Sequence, residues 1–189
     1  MEKKKILIVV DVQNDFINGS LRNEDAIKNV PNIVKKINEF NGDLILVTMD
    51  THGEDYLKTN EGIKLPVEHC IKGTKGWELN EDVEKAINLA EGRNKGNRVI
   101  YFEKPTFGSE TLSEFLNTAE ICKNGELDIE IIGFCTDICV VSNALLIKAA
   151  VYDRATITVD SSCCAGVTPE THNAAISTMK MCQINVINE

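Results

Sequence analysis

Residues Leu127 to Val141, LDIEIIGFCTDICVV, carry the side chain best suited to nucleophilic chemistry. An apolar, β-branched run with Ile129, Ile131 and Ile132 ends at Gly133, and a short polar turn, Thr136-Asp137, follows. The helix-like pattern after it puts Cys139 in a first helical turn. Backbone N–H groups and the positive end of the helix dipole there favour thiolate over thiol, and the thiolate is the nucleophile. Two readings of Cys139 stand at this point. It is a catalytic nucleophile, or a small buried residue closing a strand–helix junction. Cys135, earlier in the same turn, is its internal rival.

Other reactive side chains fall just past apolar runs. Asp11 follows KILIVV, Asp50 and His52 follow LILVTM, and Lys104 comes just after RVIYF. A carboxylate beside a thiol can accept its proton, and an ammonium nearby stabilises the thiolate. Asp11, Lys104 and Cys139 thus form a candidate nucleophile site. Asp50, His52 and His69 offer one oxygen and two nitrogen donors. That set suits zinc, manganese or iron with positions open for water or substrate, and a hydrogen-bonded polar loop is the other reading. Glu61, between the histidines, is a further carboxylate donor. No G-x-S-x-G elbow occurs, and none of the three histidines is spaced as a base for Cys139. His172 reads as structural or solvent-facing.

The elements that must position these residues alternate. Apolar runs at Lys5–Val10, Leu44–Met49, Arg98–Phe102, Ile129–Gly133, Thr156–Val159 and Gln183–Ile187 read as buried parallel strands. Helical patterns cover Asp25–Phe40, Glu81–Ala90, Ser109–Thr118, Ile138–Tyr152 and Pro169–Met181, with Ser109 as a cap and Pro169 at a first helical position. This predicts an α/β fold with three α/β/α layers and a mostly parallel sheet of about six strands, Rossmann-like. In such a sheet, ligands bind beyond the carboxyl ends of the strands. The four chemistry-bearing strand ends therefore converge on one edge. The irregular stretch Thr51 to Trp77 breaks the alternation, and a long irregular segment inside a compact domain is usually functional.

The length of 189 residues suits a single domain over 1–189. Hydrophobic residues make up 43% and charged residues 26%, which is ordinary for a globular chain. The net charge of −9 argues against nucleic acid or an anionic membrane as partner, since both need a basic patch. The run ILIVV is too short for a signal peptide or a membrane span. The chain is accordingly read as cytoplasmic, with its cysteines reduced. No zinc-ribbon pair of C-x-x-C motifs is present. A homo-oligomer is left open.

In order along the chain, IVVDVQNDF, VTMDTH, LPVEHCIKGTKGWEL, FEKPTFGSE, GFCTDICV and VDSSCCAGVTPETHNAA resemble segments of the isochorismatase-like cysteine hydrolases. Within these, the Asp-x-His…His set resembles the nicotinamidase (pyrazinamidase) branch. The resemblance implies the isochorismatase-like hydrolase fold and a triad of Asp11, Lys104 and Cys139. It also implies one divalent metal, zinc before manganese or iron, on Asp50, His52, His69 and Glu61. A cis peptide at Phe134–Cys135 is implied as well, with an oxyanion site made by the backbone N–H groups of Cys135 and Cys139. Phe16, Trp77 and Phe107 would wall the substrate pocket. The implied reaction is hydrolysis of nicotinamide to nicotinate and ammonia through a thioester. The alternatives are another amidohydrolase of the superfamily, acting on a small carboxamide or carbamoyl compound, and a non-catalytic thiol redox sensor using Cys135 and Cys139. Cys135 and Trp77 depart from the family pattern, in which small residues are common at both places.

Overall fold

The computed structural model describes residues 3–93 and 98–189. Its strands are β1 (Lys4–Val10), β2 (Leu44–Asp50), β3 (Arg98–Lys104), β4 (Leu127–Phe134), β5 (Ala155–Ala165) and β6 (Asn185–Ile187). They form one sheet in the order β3-β2-β1-β4-β5-β6, with every adjacent pair parallel. The helices are α1 (Asn14–Ile17), α2 (Glu24–Glu39), α3 (Asn60–Lys64), α4 (Glu81–Arg93), α5 (Glu110–Thr118), α6 (Glu120–Lys123), α7 (Val141–Val151) and α8 (Pro169–Met181).

Strand side chains alternate between two cores. Leu7, Val9, Ile45 and Val47 pack with Val30, Ile33 and Ile37 of α2 and Val83 and Ile87 of α4. Ile6, Ile8, Leu44 and Leu46 pack with Leu112 of α5, Ile147 of α7 and Met179 of α8. This period-two partition of apolar residues on both faces is why the strands read as continuous hydrophobic runs. The three-layer expectation is met.

Capping sets the helix starts. The Asn23 side chain accepts from the N–H groups of Asp25 and Ala26, at 2.9 and 3.0 Å. Ser109 Oγ accepts from Leu112 N–H at 3.1 Å, and Thr168 forms a capping box with Thr171 ahead of Pro169.

Three expectations shift. β3 and β6, both expected to be buried, are edge strands and exposed along much of their length, because each has a neighbour on one side only. β5 runs on to Ala165, beyond Val159, since its small and polar residues keep pairing with β4 past an irregularity between Ile131 and Gly133. The helix expected from Ile138 begins as α7 at Val141. Before it lies a wide turn, Thr136–Val140, closed by Val140 N–H donating to Cys135 O at 3.0 Å.

The sheet order reverses direction between β1 and β4, where doubly wound sheets place ligands. Gly133 sits there at φ +125°, and a Cβ on it would lie 2.1 Å from Val10 O. Only glycine lets β4 approach β1 this closely as the chain turns toward Cys139.

Candidate active site

Three strand ends bring Asp11, Lys104 and Cys139 together. Asp11 is fully buried, just past β1, at φ +48°. Its Oδ1 accepts from Thr48 Oγ1 at 2.7 Å. Its Oδ2 lies 2.7 Å from Lys104 Nζ as an ion pair, yet takes no well-aligned hydrogen bond. Among the described residues it is the one buried side-chain oxygen or nitrogen so placed. Lys104 ends β3, and its Nζ also reaches Thr106 O at 3.0 Å, Asp50 Oδ1 at 3.2 Å and Cys139 Sγ at 3.5 Å. One buried ammonium therefore touches both carboxylates and the thiol.

The protonation pattern follows from burial and neighbours. Burial works against the Lys104 charge, but Asp11, Cys139 and Asp50 outweigh it and hold its pKa above the ordinary lysine value. Burial pushes Asp11 up, and Lys104 only partly offsets this. Burial likewise pushes Cys139 well above the usual thiol range; Asp11 adds to the rise and Lys104 opposes it. Burial thus works against the thiolate that the sequence reading expects from a helix dipole. Desolvation of an enclosed sulfur exceeds what one ammonium, shared with two carboxylates, can supply. Burial likewise pushes the Cys135 thiol up, to about 12. All seven cysteines are free. The Phe134–Cys135 peptide is cis.

The second cluster adjoins the first through Asp50. Asp50 Oδ2 lies 3.0 Å from His52 Nε2 and 3.4 Å from His69 Nε2. One ligand atom from each of Asp50, His52 and His69 lies within 4.8 Å of the other two, and all three residues are buried. Burial opposes the Asp50 charge, but hydrogen bonds from both imidazoles and the Lys104 ammonium hold its carboxyl below the usual range. Glu61 Oε1 stands 3.6 and 3.8 Å from the two Nε2 atoms. His69 Nδ1 is bonded to Val67 O at 2.8 Å, which aims Nε2 into the cluster. Hard oxygen and borderline nitrogen donors, buried and oriented in this way, fit one divalent ion.

The irregular segment is what makes the cluster. His52 N–H donates to Cys70 O at 3.0 Å and Lys72 N–H donates to His52 O at 2.9 Å, so the chain folds back and sets His69 beside His52. Tyr56, fully buried, packs its ring 4.6 Å from His52 and 4.9 Å from His69, centroid to centroid.

A cavity of about 600 Å³ opens onto both clusters, and Asp50, Glu61, His69, Cys135 and Cys139 are among its lining. Its apolar walls are Phe16, Leu21, Leu65, Phe107, Ile138 and Val167. Phe16 meets His69 edge-on with ring centroids 5.7 Å apart. Trp77 is not among the lining residues. Its indole N–H donates to Thr51 Oγ1 at 2.9 Å, its carbonyl accepts from Gln13 Nε2 at 2.8 Å, and its ring packs on the core.

The structure adds residues that the sequence reading passed over. Gln13, fully buried, brackets Asp50: its Oε1 accepts from Asp50 N–H and its Nε2 donates to Asp50 O, both at 2.8 Å. Asp15 Oδ2 accepts from Cys70 N–H at 2.8 Å, next to His69. Asn143 Nδ2 donates to Cys139 O at 2.8 Å. Polar residues inside apolar surroundings were the available signal, since a buried amide or carboxylate needs partners.

A model of the isochorismatase domain matches residues 5–188. The chain belongs to the isochorismatase family. Within the family it stands beside nicotinamidases. The nicotinamidase of Schizosaccharomyces pombe is 29% identical over 220 residues, spanning 97% of this chain and 92% of that protein. The crystal structure of the nicotinamidase/pyrazinamidase of Bacillus subtilis superposes with a TM-score of 0.80 at 28% identity, covering 98% of this chain and all of that one. An Arabidopsis thaliana protein described as a probable inactive nicotinamidase is 28% identical over 183 residues, spanning 92% of this chain and 87% of its own. Among the described residues, no helix of this isochorismatase-family chain is long and apolar enough to cross a membrane.

Proposed function

We propose that this chain is a single-domain nicotinamidase, hydrolysing nicotinamide to nicotinate and ammonia. One observation carries the reading: Lys104 Nζ touches Asp11 at 2.7 Å and Cys139 Sγ at 3.5 Å, beside a buried Asp-His-His set that shares their cavity. Similarity to nicotinamidases along nearly the whole chain supports it.

The chemistry runs on the chain's own groups. Cys139 Sγ attacks the carboxamide carbon while its proton passes to Asp11, whose Oδ2 has lone-pair capacity to spare. Burial that raises the Cys139 thiol suits this order, because charge then develops only when substrate is in place. Lys104 balances the negative charge shared by Asp11 and sulfur. Backbone N–H groups of Cys135 and Cys139 steady the oxyanion. The C–N bond breaks, Asp11 returns the proton to the departing nitrogen, and ammonia leaves a thioester. Water then attacks the acyl carbon and gives a proton to Asp11. The C–S bond breaks, Cys139 regains that proton from Asp11, and the acid leaves and gives its remaining proton to solvent as nicotinate.

Asp50, His52 and His69, with Glu61 close by, would hold one divalent ion, zinc before manganese or iron. When bound, it supplies a Lewis acid for the pyridine nitrogen. Phe16 and Phe107 are the proposed aromatic walls.

The test is ammonia release from nicotinamide by wild-type protein, Cys139→Ala protein and chelated protein. Release that needs both Cys139 and the metal establishes the reading. Release that survives chelation keeps the triad and removes the metal's role. No release from folded, reduced, metal-loaded protein moves the assignment to another small carboxamide, to be found with a panel of such compounds.

A further inference from the structure

Side chains outside the triad tie the turn carrying Cys139 to the segment after β5. Asp137 accepts the Val167 N–H on both carboxylate oxygens, each at 3.1 Å. Beside it, His172 of α8 makes two side-chain hydrogen bonds in opposite directions. Its Nδ1 lies 2.8 Å from Thr136 Oγ1, and its Nε2 lies 3.1 Å from Ser161 Oγ on β5. Thr136 is fully buried and Ser161 nearly so. The imidazole therefore spans from a strand of the sheet to the first residue of the nucleophile turn.

The chemistry of the contact is complete. Burial lowers the His172 pKa, so the ring is neutral, with one N–H donor and one acceptor nitrogen. A hydroxyl can play either role, so Thr136 and Ser161 satisfy both nitrogens in either tautomer. The backbone is shaped for the contact too. A Cβ on Gly166 would stand 2.8 Å from His172 Cβ, so a larger residue there would push the segment off α8. At its far end the turn is held by Asn143, through Cys139 O.

We propose that His172 is a positioning residue: through Thr136 it holds the nucleophile turn so that Cys139 Sγ stays against Lys104. Misplacement of a reacting group by about 1 Å can cost about 100-fold in rate. A single hydrogen bond at the start of the turn is therefore enough to matter. The activity readout rests on the nicotinamidase reading; the structural readout does not.

The experiment is a double-mutant cycle on nicotinamide hydrolysis, with rates taken per folded molecule. His172→Ala and Thr136→Val are each expected to lower kcat about tenfold or more. KM stays within about twofold, and the double variant loses no more than either single one, because both remove the same bond. His172→Asn, which keeps a polar atom near the Nδ1 position, restores most of kcat. A kcat unchanged in His172→Ala, a loss carried by KM, or additive losses would each overturn the proposal. Hydrogen exchange is the second measurement. His172→Ala should raise amide exchange in the peptide covering residues 134–141 and leave the sheet unchanged, and unaltered exchange there would also overturn it. If the wild-type protein releases no ammonia from nicotinamide, the functional reading fails by itself and exchange alone decides the role of His172.

Discussion

Lys36 and Lys104 are each caught between two carboxylates, and of the two only Lys104 stands over a thiol. Lys36 of α2 lies 2.7 Å from Glu130 Oε1 and 2.8 Å from Asp160 Oδ2. Lys104 lies 2.7 Å from Asp11 and 3.2 Å from Asp50. The charges are the same; the surroundings are not. The Lys36 side chain is 26% exposed, and Asp160 is further saturated by Ser162 N–H, Ser162 Oγ and Asn188 Nδ2. The Lys104 side chain is 1% exposed, and its partner Asp11 keeps one oxygen without a hydrogen bond. A saturated, partly solvated ion pair is a structural tie. A dry one with an unfilled acceptor beside a thiol is poised for proton transfer.

The sharpest way to break this contrast is at the sulfur. Cys139→Ala should cut ammonia release by about three orders of magnitude or more while the melting midpoint stays close to wild type. Asp11→Ala should lose turnover to the same extent, and near-normal turnover in either variant removes the triad.

The next largest effect separates the two lysines. Lys104→Met leaves two buried carboxylates facing each other and is expected to cost about 3–5 kcal/mol of stability by denaturant titration, together with activity. Lys36→Met should cost less, about 1–2 kcal/mol, because the buried Asp160 keeps its hydrogen bonds from Ser162 and Asn188, and should leave kcat alone. Equal losses of stability would show that burial does not distinguish the pairs.

Metal binding should act on the Lys104 side only. For stripped protein, free zinc at about a hundredfold above its Kd should stabilise the fold by about 2.7 kcal/mol, read as a rise in melting midpoint. His69→Ala should abolish the rise, whereas Lys36→Met should retain it. A rise that persists in His69→Ala would place the ion elsewhere.

The smallest expected effect is in acid. Burial opposes the Asp160 charge, but hydrogen bonds from Lys36, Ser162 and Asn188 lower its pKa below the ordinary value. A depressed carboxylate contributes stability above its unfolded pKa, about 3.9, and that contribution is lost as pH falls through the folded value. Melting midpoints below about pH 4 should therefore drop less steeply in Lys36→Met than in wild type. Parallel profiles would remove the Lys36–Asp160 coupling.

Much of this was legible in the chain. Apolar runs and capped helical patterns located all six strands and α2, α4, α5, α7 and α8, because periodicity and caps act over a few residues. The edge position of β3 was not legible, since nothing local says how many neighbours a strand will have. The small and polar end of β5 was missed because its pairing partner, not its own composition, keeps it extended. Trp77 looked like a pocket wall by its place in a motif, but its indole turns to Thr51 and the core instead.

By itself the sequence determined the α/β alternation, the family and the types of side chain delivered to the strand ends. These are matters of local pattern and chemical identity. The tertiary structure alone decided that one ammonium touches Asp11, Asp50 and Cys139, that burial raises the Cys139 thiol, and that His172 reaches the turn carrying Cys139. Each depends on burial and on contacts between groups far apart in the chain. Desolvation and Coulomb interactions at a few ångströms exist only once the sheet has brought those groups together.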